Sequence, residues 1–239
     1  MTDADLGFSL SDILADRPPA SAPSSTADIN ALTQSFISER LSPELLPFET
    51  EVLDRVMGRV QDMIMRVEEA MSEQAEGHGG GGFKVVLMQT ELERVKWLVR
   101  SYLRARLHKI DRYPLHILRT QDLVTRLSRT EKQYAQKHLA LLTHHYRSSF
   151  LSALDPQLQN LDDNTAGISM IETPDLDSAV FVRVKRDVEG GDGDVLGVKT
   201  GAKGEGGEEE MVELRGGAIY ILRWSAVRKW VVSGDVELI

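Results

Sequence analysis

The stretch "ERVKWLVRSYLRARLHKIDRYP", Glu93 to Pro114, decides how the rest of the chain is read. Val95, Leu98, Val99, Tyr102, Leu103, Leu107 and Ile110 recur at spacings of three and four. That spacing predicts one continuous apolar stripe on an α-helix. Arg94, Lys96, Arg100, Arg104, Arg106, Lys109 and Arg112 share the same helix. Lys96, Arg100 and Arg104 fall at i, i+4 and i+8 and form a ridge of their own. Two readings follow. The ridge could touch phosphate, making helix 94–112 a direct DNA-binding module. Alternatively this is a core or interface helix whose arginines pair with carboxylates of neighbouring helices or subunits. A formal net charge of -9 supplies many such carboxylates and favours the second reading.

Working upstream, the chain is helical in pattern from Asp28, which suits an N-cap, through Ile29, Leu32, Phe36 and Ile37. "LSPELLPFETEVLDRVMGRVQDMIMRVEEAM" follows. Pro43 and Pro47 are expected to set helix starts, and Val52, Val56, Val60, Met63, Ile64 and Val67 continue the apolar spacing. "EGHGGGGF" breaks that helix. Downstream, Pro114 opens a further short helix. "SRTE" predicts a capping box of Ser128 and Glu131 for a last helix reaching about Leu154. The fold class expected is mainly α: a helical bundle over 27–160, then a linker over 161–178.

A small β-rich part is expected over 179–239. "AVFVRVKR" alternates, with Val180, Val182 and Val184 on one face. The acidic, Gly-rich stretch 187–210 should be a solvated loop. Strand patterns return at "MVELR" and "AIYILRW", a short helix with Gly234 as its cap fits "SAVRKWVVSG", and "DVELI" ends as a strand. Phe181, Val236, Leu238 and Ile239 are expected to pack this part. Its core is small and marginal alone. The bundle helices, by contrast, carry more apolar positions than a slim bundle needs, which suggests interfaces with other chains.

No motif argues for an enzyme. The chain has no cysteine, which excludes disulfides, thiol nucleophiles and Cys-bound zinc. His138 and His144 are six apart on one helix and face different ways, His108 and His116 flank a helix break, and no HExxH occurs. "GGGGF" and "GGDGDVLG" lack the strand–turn–helix context of a phosphate loop. Turn and capping roles suffice for Asp162, Asp163, Asp175 and Asp177. Neither cofactor nor metal is expected, nor a membrane span, since no apolar run approaches ~18 residues.

Taken in order along the chain, these pieces resemble the Sld-five family of GINS complex subunits, eukaryotic DNA replication factors. "LSPELLPFETEVLDRVMGRV" is similar to the family's "APELL" segment and following helix, and "MQTELERVKWLVRSYLRARLHKIDRYPLHIL" to its signature helix. "LSRTEKQYAQKH", "PDLDSAVFVRV" and "SGDVELI" resemble its later landmarks. The resemblance implies a helical A domain, a β-rich B domain and no catalytic residues. It implies a nuclear heterotetramer with three Psf subunits. That tetramer joins the MCM ring and a RecJ-like Cdc-type factor in the active replicative helicase, and meets DNA only indirectly. On this reading Tyr102, Leu103, Arg104, Arg106 and Leu107 lie in the core or at a subunit interface. The glycine run after the second helix and the acidic stretch 187–210 depart from the family pattern.

The tail 1–26 holds "SLSDILAD", which resembles a short helical peptide of some fungal members. That peptide docks on a trimeric replisome hub linked to DNA polymerase alpha. Leu10, Ile13 and Leu14 would fill a groove, with Asp12 and Asp16 at its rim. A helix this short is unstable alone, so it would fold on binding.

Overall fold

The computed structural model describes residues 25–75, 82–162, 169–185, 196–203 and 209–239. The tail peptide lies outside them. Among the described residues three long helices come first: α1 (Ser25–Leu41), α2 (Thr50–Ala75) and α3 (Gly82–Arg112). Their apolar stripes meet in one core of Leu32, Val56, Val60, Leu92, Val95, Leu98, Val99 and Tyr102. Asp28 is not the N-cap that its local sequence suggests. It sits in the first turn of α1, 2% exposed, and pairs with Arg55 Nε at 3.0 Å and Arg59 Nη2 at 2.7 Å from α2. Tertiary pairing across two helices has taken the carboxylate that a cap would use locally.

Pro43 and Pro47 do not open helices either. Residues 42–49 form a non-helical strap between α1 and α2, which begins only at Thr50. A residue before proline is disfavoured in the helical region, and α1 stops just before Pro43: Ser42 N–H donates the last helical bond, to the Ser38 carbonyl at 3.0 Å.

The C-terminal half of α3 enters a second core with α4 (Pro114–Arg119), α5 (Gln121–Thr125) and α6 (Arg129–Ser149). Leu45, Ile110, Ile117, Leu123 and Ala135 fill it. Pro114 is the first residue of α4, where its missing N–H costs nothing. Ser128 caps α6 as a full capping box: its Oγ accepts from the Glu131 N–H at 3.2 Å, and its own N–H donates to Glu131 Oε2 at 2.9 Å. α6 ends at Ser149, short of the expected Leu154, and a 3₁₀ turn over Leu151–Ala153 follows.

The β-rich part is a three-stranded antiparallel sheet in the order β4–β1–β5, made of β4 (Ile219–Arg223), β1 (Ala179–Val184) and β5 (Val236–Leu238). Val182 faces Tyr220 on one side and Leu238 on the other. The inner face carries Val180, Val182, Val184, Val236 and Leu238 against Leu214 and against Trp224 and Val227 of α7 (Trp224–Ser233). Gly234 caps α7 at φ +88°, a left-handed position that suits glycine.

Two expectations for this part need correcting. Phe181 and Ile239 do not pack the core. They lie on the outer face, 55% and 43% exposed, because side chains alternate along a strand and Val180 and Val182 have taken the inner positions. The stretch 187–210 is not loop throughout. A second, two-stranded sheet pairs β2 (Leu196–Lys203) with β3 (Glu209–Leu214).

Candidate functional site

The polar centre of the molecule lies where α1, α3, α6 and the strap converge. Arg106 projects from the lower half of α3 and is fully buried. Its five N–H groups each have a partner. Nε and Nη2 grip Glu131 at 2.8 and 3.1 Å, a bidentate pair. Nη1 donates to Glu39 Oε2 at 3.0 Å and to the Leu46 carbonyl at 2.8 Å, and Nη2 donates to the Arg126 carbonyl at 3.0 Å. The rings of Phe48 and Tyr102 lie 5.1 and 5.8 Å from the guanidinium carbon. Burial opposes the charge, but the carboxylates of Glu131 and Glu39 outweigh it and hold Arg106 above its ordinary pKa.

One turn on, Lys109 uses all three of its donors: Glu39 Oε1 at 2.7 Å, Ser42 Oγ at 2.8 Å and the Glu44 carbonyl at 2.8 Å. Burial pushes its pKa down, against the pull of Glu39. Glu39 therefore bridges both cations from the last turns of α1. Glu131 serves twice, as the cap partner of Ser128 and as the ion partner of Arg106.

The strap is the receiving element. The carbonyls of Glu44, Leu45 and Leu46 accept in turn from Lys109, Arg126 and Arg106, each at 2.8 Å. The Glu44 carboxylate, 5% exposed, then reaches the β-rich part. It accepts from Trp224 Nε1 at 3.0 Å and Arg228 Nε at 2.6 Å, with Arg126 Nη1 at 3.3 Å. Unpaired charges in such a place would cost several kcal/mol each. Satisfied this fully, they fix one arrangement of the chain.

The sequence-derived residues separate clearly. Tyr102 is buried, and Leu103 and Leu107 pack half-buried against the two helical cores. Arg104 is exposed, because two residues along a helix turn the side chain to the opposite side; the buried charge belongs to Arg106. On the upper half of α3, Arg94 and Arg100 are exposed and Lys96 is half-buried. Arg94 pairs with Glu91 at 2.8 Å, and Lys96 and Arg100 share Glu93 at 3.0 and 3.4 Å. Of the seven cations on helix 94–112, Arg106 and Lys109 are thus withdrawn into the interior, while Arg94, Arg100, Arg104 and Arg112 remain exposed. Val236 and Leu238 lie in the β core.

Sequence reasoning misses Glu39 and Glu44, and it does not separate Lys109 from the other cations of its helix. The available signal is the density of acids and prolines in "SERLSPELLPF", where two carboxylates stand among residues that otherwise read as core. What this site can do chemically is hold chain segments together. Among the described residues, no group of three His, Asp or Glu is placed to hold a metal ion, and no helix is long and apolar enough to cross a membrane.

Residues 62–150 match the family described as the GINS complex protein helical bundle domain, and residues 174–239 match the C-terminus of DNA replication complex GINS protein SLD5. The chain is 44% identical to the DNA replication complex GINS protein SLD5 of Chaetomium globosum, over 96% of this chain and 99% of the relative. It is 34% identical to the Schizosaccharomyces pombe protein of that name, covering 89% and 92%. Identity to the Arabidopsis thaliana protein is 31%, covering 90% and 92%.

Proposed function

The chain belongs to the SLD5 family of GINS complex subunits of DNA replication, and on that premise we propose that it is a non-catalytic structural subunit of the GINS heterotetramer. Its partners there are the three Psf subunits, and its place of work is the nucleus. The tetramer in turn joins the MCM ring and the RecJ-like Cdc-type factor to build the active replicative helicase. In this role the chain braces an assembly and makes no covalent chemistry.

One observation carries the reading. Large apolar side chains crowd the outward surface where the end of α2 meets the start of α3: Met65 at 59% exposure, Met71 at 50%, Phe83 at 81%, Val86 at 59% and Leu87 at 54%, with Trp97 at 57% further along. Large apolar side chains left this exposed suit burial against another chain. Phe181, Ile219, Ile221 and Ile239 make a second apolar area on the outer face of the sheet, and suit further subunit contact. Leu10, Asp12, Ile13 and Leu14 would add a peptide for the trimeric hub that leads to DNA polymerase alpha. The fitting division is a tail over 1–26, an A domain over 27–160, a linker over 161–178 and a B domain over 179–239.

Co-expression with and without the three Psf subunits, followed by sizing of the soluble product, tests this. A stoichiometric four-chain particle that requires this chain is the expected result. A well-behaved monomer indifferent to those subunits would defeat the reading. In that case, binding of duplex DNA that weakens steeply with salt would point to the basic helix instead.

A further inference from the structure

The strap does something that neither half of the molecule does alone. Leu45 is buried in the core shared by α3, α4, α5 and α6. Leu46, the next residue, is buried in the core of the β-rich part. Phe48 packs against the core of α1, α2 and α3. Three neighbouring side chains thus enter three different cores. A backbone so short cannot follow one core without disturbing its hold on the others, because consecutive Cα atoms are tied at ~3.8 Å.

The polar contacts divide in the same way. Lys109, Arg126 and Arg106 hold the carbonyls of the strap from the helical side. Trp224 and Arg228 hold the Glu44 carboxylate from the β side. If the β-rich part lifts away, Glu44 loses two donors and Leu46 loses its core. The strap then has no reason to keep its carbonyls aimed at Lys109 and Arg106, whose donors cannot go unpaired while buried. If instead Glu39 releases Arg106 and Lys109, those cations shift and draw the carbonyls of Glu44 and Leu46 with them.

We propose that the Ser42–Phe48 strap is a coupling device: the β-rich part seats stably only on a closed helical bundle, and its seating in turn holds the bundle closed. The dependence is reciprocal, as any coupling between two sites must be. One consequence rests on the assembly reading above: a partner that grips the bundle also sets the direction in which the sheet faces.

Hydrogen exchange on the full chain tests it in both directions. Trp224→Phe keeps the aromatic bulk and deletes the N–H that Glu44 accepts. It should speed exchange about tenfold at the end of α1 (residues 36–42) and in the lower half of α3, while β1 and β4 stay protected. Glu39→Gln keeps the shape and removes the shared charge. It should speed exchange in β5 and α7, across the junction from the substitution. Should Glu39→Gln not fold, Ser42→Ala, which removes one partner of Lys109 and the Ser42 Oγ bond to the Glu44 carbonyl at 3.0 Å but leaves the shared charge in place, replaces it with a smaller expected effect at the same amides. A double-mutant cycle on Glu39→Gln and Trp224→Phe gives a second readout, since Glu39 holds Arg106 and Lys109 whereas Trp224 holds Glu44. Non-additive shifts in the denaturation midpoint are expected. Exchange that rises only within the part carrying each substitution, or shifts that add, would overturn the proposal.

Discussion

The two halves of α3 carry the same kinds of residue and use them differently. In the upper half, Arg94, Lys96 and Arg100 pair with acids three to seven residues away on their own helix. These pairs stand in water, where attraction is screened and side-chain entropy offsets most of it. In the lower half, Arg106 and Lys109 pair with acids 25 to 70 residues away, on α6 and α1. These pairs are buried, and every donor is used. The upper cations decorate a helix; the lower ones define where four segments of chain meet. Composition does not distinguish a solvated charge from an organising one. Burial together with complete partnering does.

The largest effect that would sharpen this contrast is Arg106→Ala. It strands Glu39, Glu131 and two carbonyls in the interior and should cost about 3–5 kcal/mol of stability by chemical denaturation. Arg100→Ala on the upper half should leave the midpoint unchanged within error. Equal losses from the two variants would break the comparison.

Leu46→Ala comes next. It removes a buried side chain from the β core and should cost about 2–5 kcal/mol, with loosened protection in the sheet as its signature in hydrogen exchange. Loss confined to the helical bundle would show that Leu46 belongs to the other core.

Ser128→Ala is smaller, about 1 kcal/mol, because it removes a helix cap and leaves Arg106 paired. Glu131→Ala should cost clearly more than Ser128→Ala, since it removes the cap partner and the bidentate grip on Arg106 together. If thermal denaturation gave the two variants similar midpoints, the double role of Glu131 would be wrong.

The smallest effect is on acid stability. Burial holds the pKa of His116 below its ordinary value near 6.5, against the opposing pull of Glu44. The unfolded chain therefore takes up a proton that the folded chain resists, and stability falls as pH drops below about 6.5. His116→Asn should flatten that part of the pH–stability curve, as followed by denaturant midpoints between pH 7 and pH 5. An unchanged slope would assign the acid sensitivity to other groups.

Local features are legible in the amino-acid sequence itself. The apolar stripe of α3, the break at Pro114, the capping box of Ser128 and Glu131 and the left-handed Gly234 each depend on residues within a turn or two of one another. The reading fails where distant residues compete for a group. Asp28 resembles a cap because caps are local, yet Arg55 and Arg59 from the next helix claim it. Phe181 and Ile239 resemble core residues because they are apolar, yet strand alternation places their neighbours inside. Arg104 and Arg106 are indistinguishable as letters two positions apart.

By itself, the amino-acid sequence determined the order of the elements other than β2 and the strap, the mainly helical class with a small β-rich end, the absence of cysteine chemistry and the family resemblance. Helical and strand periods are written in short-range spacing, so they can be read without a fold. Only the tertiary structure decided which of the cations on α3 became buried, that Glu39 and Glu131 would meet at Arg106, and that three consecutive carbonyls of the strap would be gripped in turn. Those outcomes depend on residues far apart in the chain arriving at one point, and the cost of burying a charge is met only there, when all its partners are present together.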